Sequence, residues 1–236
     1  MVASTQVSVR PRAGRWLYPL AASLTAVGVF AGFAPTYYLK LWFGTPSLSP
    51  LLHVHGLVMT VWFALFATQA WLVGSGRTAV HRRLGVFAAM WAALVVIVGT
   101  LTAITAARLG HSPGPPPLQF LVVPLGDMVL FTALVGTALW FRRRPEVHRR
   151  LMLLGGLCLL VAAFARLPWP SAAAMPAAIA MMSALMLACV LVDTVRHRRL
   201  HPAFGWGVVL VLVSWPLRLQ LADTALWQRF AEWLVG

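Results

Sequence analysis

The chain has 236 residues, of which 60% are hydrophobic and only 10% charged, against roughly 25% charged in ordinary soluble domains. So little charge cannot cover a water-facing surface of this size, so the composition excludes an ordinary soluble fold and favours lipid as solvent. The net charge is +14, but the cations lie between apolar runs. That places them at anionic headgroups rather than on nucleic acid.

A membrane-spanning helix needs about 20 mostly apolar residues, and the sequence supplies that length repeatedly. The short alternating segments of a transmembrane barrel are absent. Residues 1–15 are polar and basic, with Arg10, Arg12 and Arg15. An apolar run from Trp16 to about Leu39 follows, too long for the core of a signal peptide. Further runs cover roughly 51–73, 84–107, 118–141, 151–167, 172–194 and 203–221. The fold class expected is all-α, a polytopic bundle of about seven transmembrane helices over 16–221. Thr45 to Pro50 and the HSPGPPP stretch at 111–117 mark turns. In 222–236, Leu226, Trp227, Phe230, Trp233 and Leu234 share one side of a helix, which predicts an amphipathic interfacial C-terminal helix. The alternative is an extension of the seventh helix.

Fourteen of the nineteen cations fall in the N-terminal segment and in the turns after helices two, four and six. The other five, Lys40, Arg108, Arg166, Arg218 and Arg229, fall on or toward the opposite side. This alternation predicts an N-in, C-out orientation in an inner (plasma) membrane. Arg82, Arg83, Arg149 and Arg150 are the expected headgroup anchors. Anionic lipid is the expected partner, together with a membrane-protein partner or a second copy of the chain. Cys158 and Cys189 lie in apolar runs without CxxC spacing and read as small core residues.

Two stretches repeat. VHRRLGVFA at 80–88 and VHRRLMLLG at 147–155 both open an apolar run, and RHRRLHPAFGWG at 196–207 is similar in place and composition. One leading helix followed by three like hairpins, a parallel internal repeat, is the expectation. The box reads structurally as arginine anchors with an interfacial histidine. Functionally, His81 and His148, with His201, could converge on the cytoplasmic end to ligate haem iron or a transition metal, with arginines beside the propionates. The HRRLG and HRRLM boxes resemble those of small bacterial multi-span families: cytochrome b561-like proteins, ferric-reductase-like proteins and a family linked to haem-copper oxidase assembly. The resemblance covers about ten residues per copy and implies paired histidines holding haem b. It departs from the two-haem pattern, because no run here has histidines at both ends.

The outer half offers a second constellation. LLHVHG places His53 and His55 at the start of helix two, and Asp127 lies about ten residues into helix four. Ionisable residues in spans face a partner or a cavity. Asp127 is expected either to pair with Arg166 or to join His53 and His55 in binding a metal ion or moving protons, with His111 a lesser candidate. His55, Met59, Trp62, Phe66 and Gln69 form one helical stripe, read as packing. A retinal-type Schiff base is excluded because no lysine follows Lys40. Walker, GxSxG and HExxH motifs are absent. Three functions remain: a non-enzymatic scaffold or assembly subunit, a haem- or metal-binding protein in a redox or respiratory-assembly role, and a small-solute or proton carrier using Asp127. Whether the chain is an enzyme stays open at this stage.

Overall fold

The computed structural model describes residues 16–236; the basic segment expected at 1–15 lies outside them. The described chain is all-helical and contains seven helices long and apolar enough to cross a membrane. They are α1 (Leu17–Tyr38), α2 (Pro50–Gly74), α3 (Thr78–Arg108), α4 (Pro117–Trp140), α5 (Pro145–Phe164), α6 (Ser171–His197) and α7 (Pro202–Ala222). A short α8 (Ala225–Val235) follows. It is separate from α7, because the Thr224 hydroxyl accepts from Trp227 N–H and starts a new helix. Its buried Trp227 donates to the Leu118 carbonyl, docking α8 on the start of α4.

The helix starts follow from local chemistry. Helices α2, α4, α5 and α7 begin on proline, whose missing N–H costs nothing at a first helical position. Ser49 and His201 cap α2 and α7 with side-chain acceptors. α6 ends on Arg198 at φ 53°, a left-handed residue that stops the helix.

α5 is the axis of the bundle. In its central window 72% of residues are buried, against 22–50% for the other six. Lipid-facing helices keep large apolar side chains exposed, Val27, Val129, Val195 and Trp206 among them, whereas α5 is surrounded by protein. Glycines let neighbours approach. A side chain at Gly32 would collide with the Ala163 backbone, so α1 and α5 meet main chain to main chain. Gly156 receives the Phe66 ring and Gly207 the Leu154 side chain.

The three hairpins are not alike. α2 packs closely on α3 and α4 on α5, but α6 and α7 splay. α7 lies on α4 and α5, and α6 lies mainly on the end of α5.

Candidate functional site at the boxed helix ends

His81 and His148 sit in the first turns of α3 and α5, and the bundle brings them together. Their ring centres are 6.3 Å apart, with the planes 72° apart. His148 Nδ1 lies 2.8 Å from the Ala138 carbonyl. A carbonyl only accepts, so this nitrogen carries the proton and the lone pair is at Nε2. Gln69, the last member of the α2 stripe, reaches the other ring. With its amide turned so that both ends are satisfied, its NH2 donates to His81 Nδ1 (2.7 Å), and its oxygen accepts from Gly85 N–H (2.9 Å). His81 then carries its proton on Nε2. Among the described residues neither Nε2 has a hydrogen-bond partner.

The spacing can be compared with coordination geometry. With a metal–nitrogen bond of about 2.0–2.1 Å, each ring centre stands about 3.2 Å from the metal. Two ligated rings are then about 5 Å apart at a tetrahedral angle and about 6.4 Å apart when opposed. The observed 6.3 Å lies at the opposed end of that range.

His201 does not join this pair. Its Nδ1 accepts from Ala203 N–H (3.1 Å) at the start of α7. Burial, and then the charge of Arg150, push its imidazole below the usual histidine range.

The second box also carries the most deeply buried cation of this end of the bundle. Arg150 and Asp193 both expose 1% of their side chains and pair at 2.7 Å. Arg150 Nη1 donates to Glu146 Oε2 (2.6 Å) and to the Glu146 carbonyl (2.8 Å). Tyr18 donates to Asp193 Oδ1 (2.9 Å), and His197 Nδ1 donates to the Asp193 carbonyl (2.8 Å). Arg150 was expected at a lipid headgroup. It is instead the centre of an ion network joining α1, α5 and α6, because Asp193 opposes it from α6. Arg149 bonds Glu146 and lies over the Tyr18 ring, while Arg82 and Arg83 are exposed.

The outer constellation is rearranged. Asp127 pairs with Arg218 of α7 at 2.6 Å, not with Arg166. Arg166 lies beyond the end of α5, where it bonds the Ala162 carbonyl and covers the Phe33 ring. His53 is exposed, and His55 keeps a buried Nδ1 with no partner. Neither histidine forms a site with Asp127. Among the described residues no three His, Cys, Asp or Glu side chains are grouped to hold an ion. His111 is exposed in its loop.

Asp193 and Arg218 are the residues that sequence reasoning missed. Each was visible as a charge inside an apolar run, which is the signal for a buried partner. Choosing that partner needed the helix arrangement. Comparison of the chain with protein-family profiles, with curated proteins and with solved structures finds no match.

Proposed function

We propose that this multi-pass membrane protein lies in a bacterial inner membrane with its basic turns toward the cytoplasm, and that it holds one metal centre between His81 and His148. The observation that carries this reading is the convergence of two imidazoles from different helices at 6.3 Å, each with Nδ1 engaged and Nε2 without a partner. Engaging one ring nitrogen is how proteins fix the orientation and tautomer of a ligating histidine. The centre is the iron of a b-type haem or a single transition-metal ion, both suited to neutral imidazole. A redox or respiratory-assembly role follows from that chemistry.

His148 already offers its Nε2 lone pair. His81 offers the equivalent one only when its proton moves to Nδ1 and the Gln69 amide turns to accept it. Gln69 is thus a positioning residue for the pair. The buried ion pairs belong to the scaffold: Arg150–Asp193, with Tyr18, fixes α5, on which His148 stands, against α1 and α6, and Asp127–Arg218 joins α4 to α7.

The direct test is an absorption spectrum and elemental analysis of the purified protein. The expected result is one equivalent of haem or of one metal per chain, lost in His81→Ala and in His148→Ala while the protein stays monodisperse. A wild-type chain that is colourless and metal-free, and that takes up neither haemin nor divalent or monovalent metal, would remove the proposal.

A further inference from the structure

The histidine pair carries more than the presence of a metal, because ligand count, spacing and charge together restrict which ion it takes. Among the described residues no third His, Cys, Asp or Glu side chain joins the two imidazoles. Their ring centres stand at the spacing of opposed ligands, not of a tetrahedral pair. Protein-bound zinc takes a tetrahedral set, and the hard divalent ions take shells of oxygen ligands. Two opposed nitrogens match instead a closed-shell monovalent ion, which bonds its ligands in a line. Charge points the same way. Each histidine follows, four residues on, an exposed arginine that starts its helix. His81 N–H donates to the Arg77 carbonyl (3.1 Å) and His148 N–H to the Arg144 carbonyl (3.0 Å). Both rings therefore lie at positive helix ends, and the charge of Arg82 acts on the His81 ring. The carboxylate nearest to either histidine in sequence, Glu146, is held by Arg149 and Arg150 at 2.6 Å. Repulsion scales with ionic charge, so each of these groups opposes a divalent ion twice as strongly as a monovalent one.

We propose that the ion is Cu(I), held in a line between His81 Nε2 and His148 Nε2; this rests on the metal centre proposed above and names its occupant. Imidazole suits copper, and Cu(I) combines a single charge with a preference for few ligands. Binding releases no net proton. His148 already presents its lone pair, and His81 presents one when its proton passes from Nε2 to Nδ1, where the Gln69 oxygen accepts it. A haem would need a flat slot around the line between the rings. The crevices of about 430 and 310 Å³ lie along α6, and neither is lined by His81, His148 or Gln69.

The test is an anaerobic titration of the full chain in detergent with Cu(I), in competition with bicinchoninate, alongside Zn(II) and haemin. The wild-type chain should hold one Cu(I) and prefer it to Zn(II) by about 100-fold. X-ray absorption of the copper-loaded chain should show two nitrogen neighbours in near-linear geometry, a readout that needs no variant. His81→Ala and His148→Ala should each abolish binding. Arg82→Glu puts a carboxylate beside the pair and should narrow the preference about tenfold, an effect that a merely structural role would not give. Zn(II) or haemin held on the two histidines more tightly than Cu(I) would overturn the choice of ion and leave the metal centre standing. So would copper with four neighbours, or an unchanged preference in Arg82→Glu. No uptake of any of the three, or Cu(I) binding that survives loss of both histidines, would overturn the centre itself.

Discussion

The two HRRL boxes are identical over five residues, Val80 to Leu84 and Val147 to Leu151, yet they do different work. In the first, Arg82 and Arg83 are exposed. In the second, Arg150 is buried and joins Asp193, Glu146 and, through Asp193, Tyr18. Only the histidines play matching parts, and they meet each other. The difference lies in the opposing helix. α6 presents Asp193 to the second box, while no carboxylate pairs with the first among the described residues. A string of residues fixes what a helix end can offer, and its neighbours decide which offer is taken.

The largest contrast between the boxes should come from arginine. Arg150→Leu leaves Asp193 buried without its cation and should cost about 3–5 kcal/mol, read as loss of thermal stability in detergent. Arg83→Leu should stay within about 0.5 kcal/mol. The double change Arg150→Leu with Asp193→Leu should recover much of the loss, because a buried pair replaced by apolar groups is often neutral. Equal effects of Arg150→Leu and Arg83→Leu would remove the distinction between the boxes.

A similar loss is expected at the outer pair. Asp127→Leu should destabilise by about 3–5 kcal/mol, and Arg166→Ala, whose contacts lie at a helix end, should cost far less.

Gln69 sharpens the comparison on the histidine side, because it serves His81 alone. Gln69→Leu should weaken the metal centre about 10–100-fold with little change in fold. Gln69→Glu supplies an acceptor that holds the proton on His81 Nδ1, and should tighten the centre relative to wild type. Unchanged affinity in both variants would remove Gln69 from the site.

The smallest effect concerns His201, the outlying histidine of the third box. Its imidazole accepts a backbone hydrogen bond only when neutral. Its folded-state value is depressed, so it contributes stability above the unfolded-state value and loses it as the pH falls through its folded-state value. The cap is worth about 1 kcal/mol. His201→Asn should keep the cap and flatten that part of the stability–pH profile, as followed by thermal unfolding between pH 7 and 5.

The fold was largely legible. Apolar run length dictates a helix count, and the seven runs correspond to seven helices. The turns read at 45–50 and 111–117 lead into the helices that start on Pro50 and Pro117, whereas the fifth helix starts on Pro145, six residues before the apolar run at 151. The fifth run, 151–167, is short and ends at Arg166, which makes it the least secure of the seven from sequence. It is the central helix, and the reason is physical: a helix surrounded by protein need not present a lipid-facing surface, so it tolerates Gly155, Gly156 and a buried Arg150. The candidate site was legible as a pair of histidines at like helix ends. Gln69 was hidden, because the stripe that carries it reads as packing until α3 is laid alongside. The partner of Asp127 was hidden for a related reason. Arg166 and Arg218 both lie toward the same side, and the packing of α7 on α4 selects Arg218.

The central claim, that the two boxes share one centre, is tested most directly by a double-mutant cycle on binding. Haemin or metal would be titrated into wild-type chain, His81→Ala, His148→Ala and the double variant. The account predicts that either single change removes the centre almost completely and that the second adds little, the non-additivity of two ligands on one ion. Independent losses that sum, or binding that survives both changes, would contradict it.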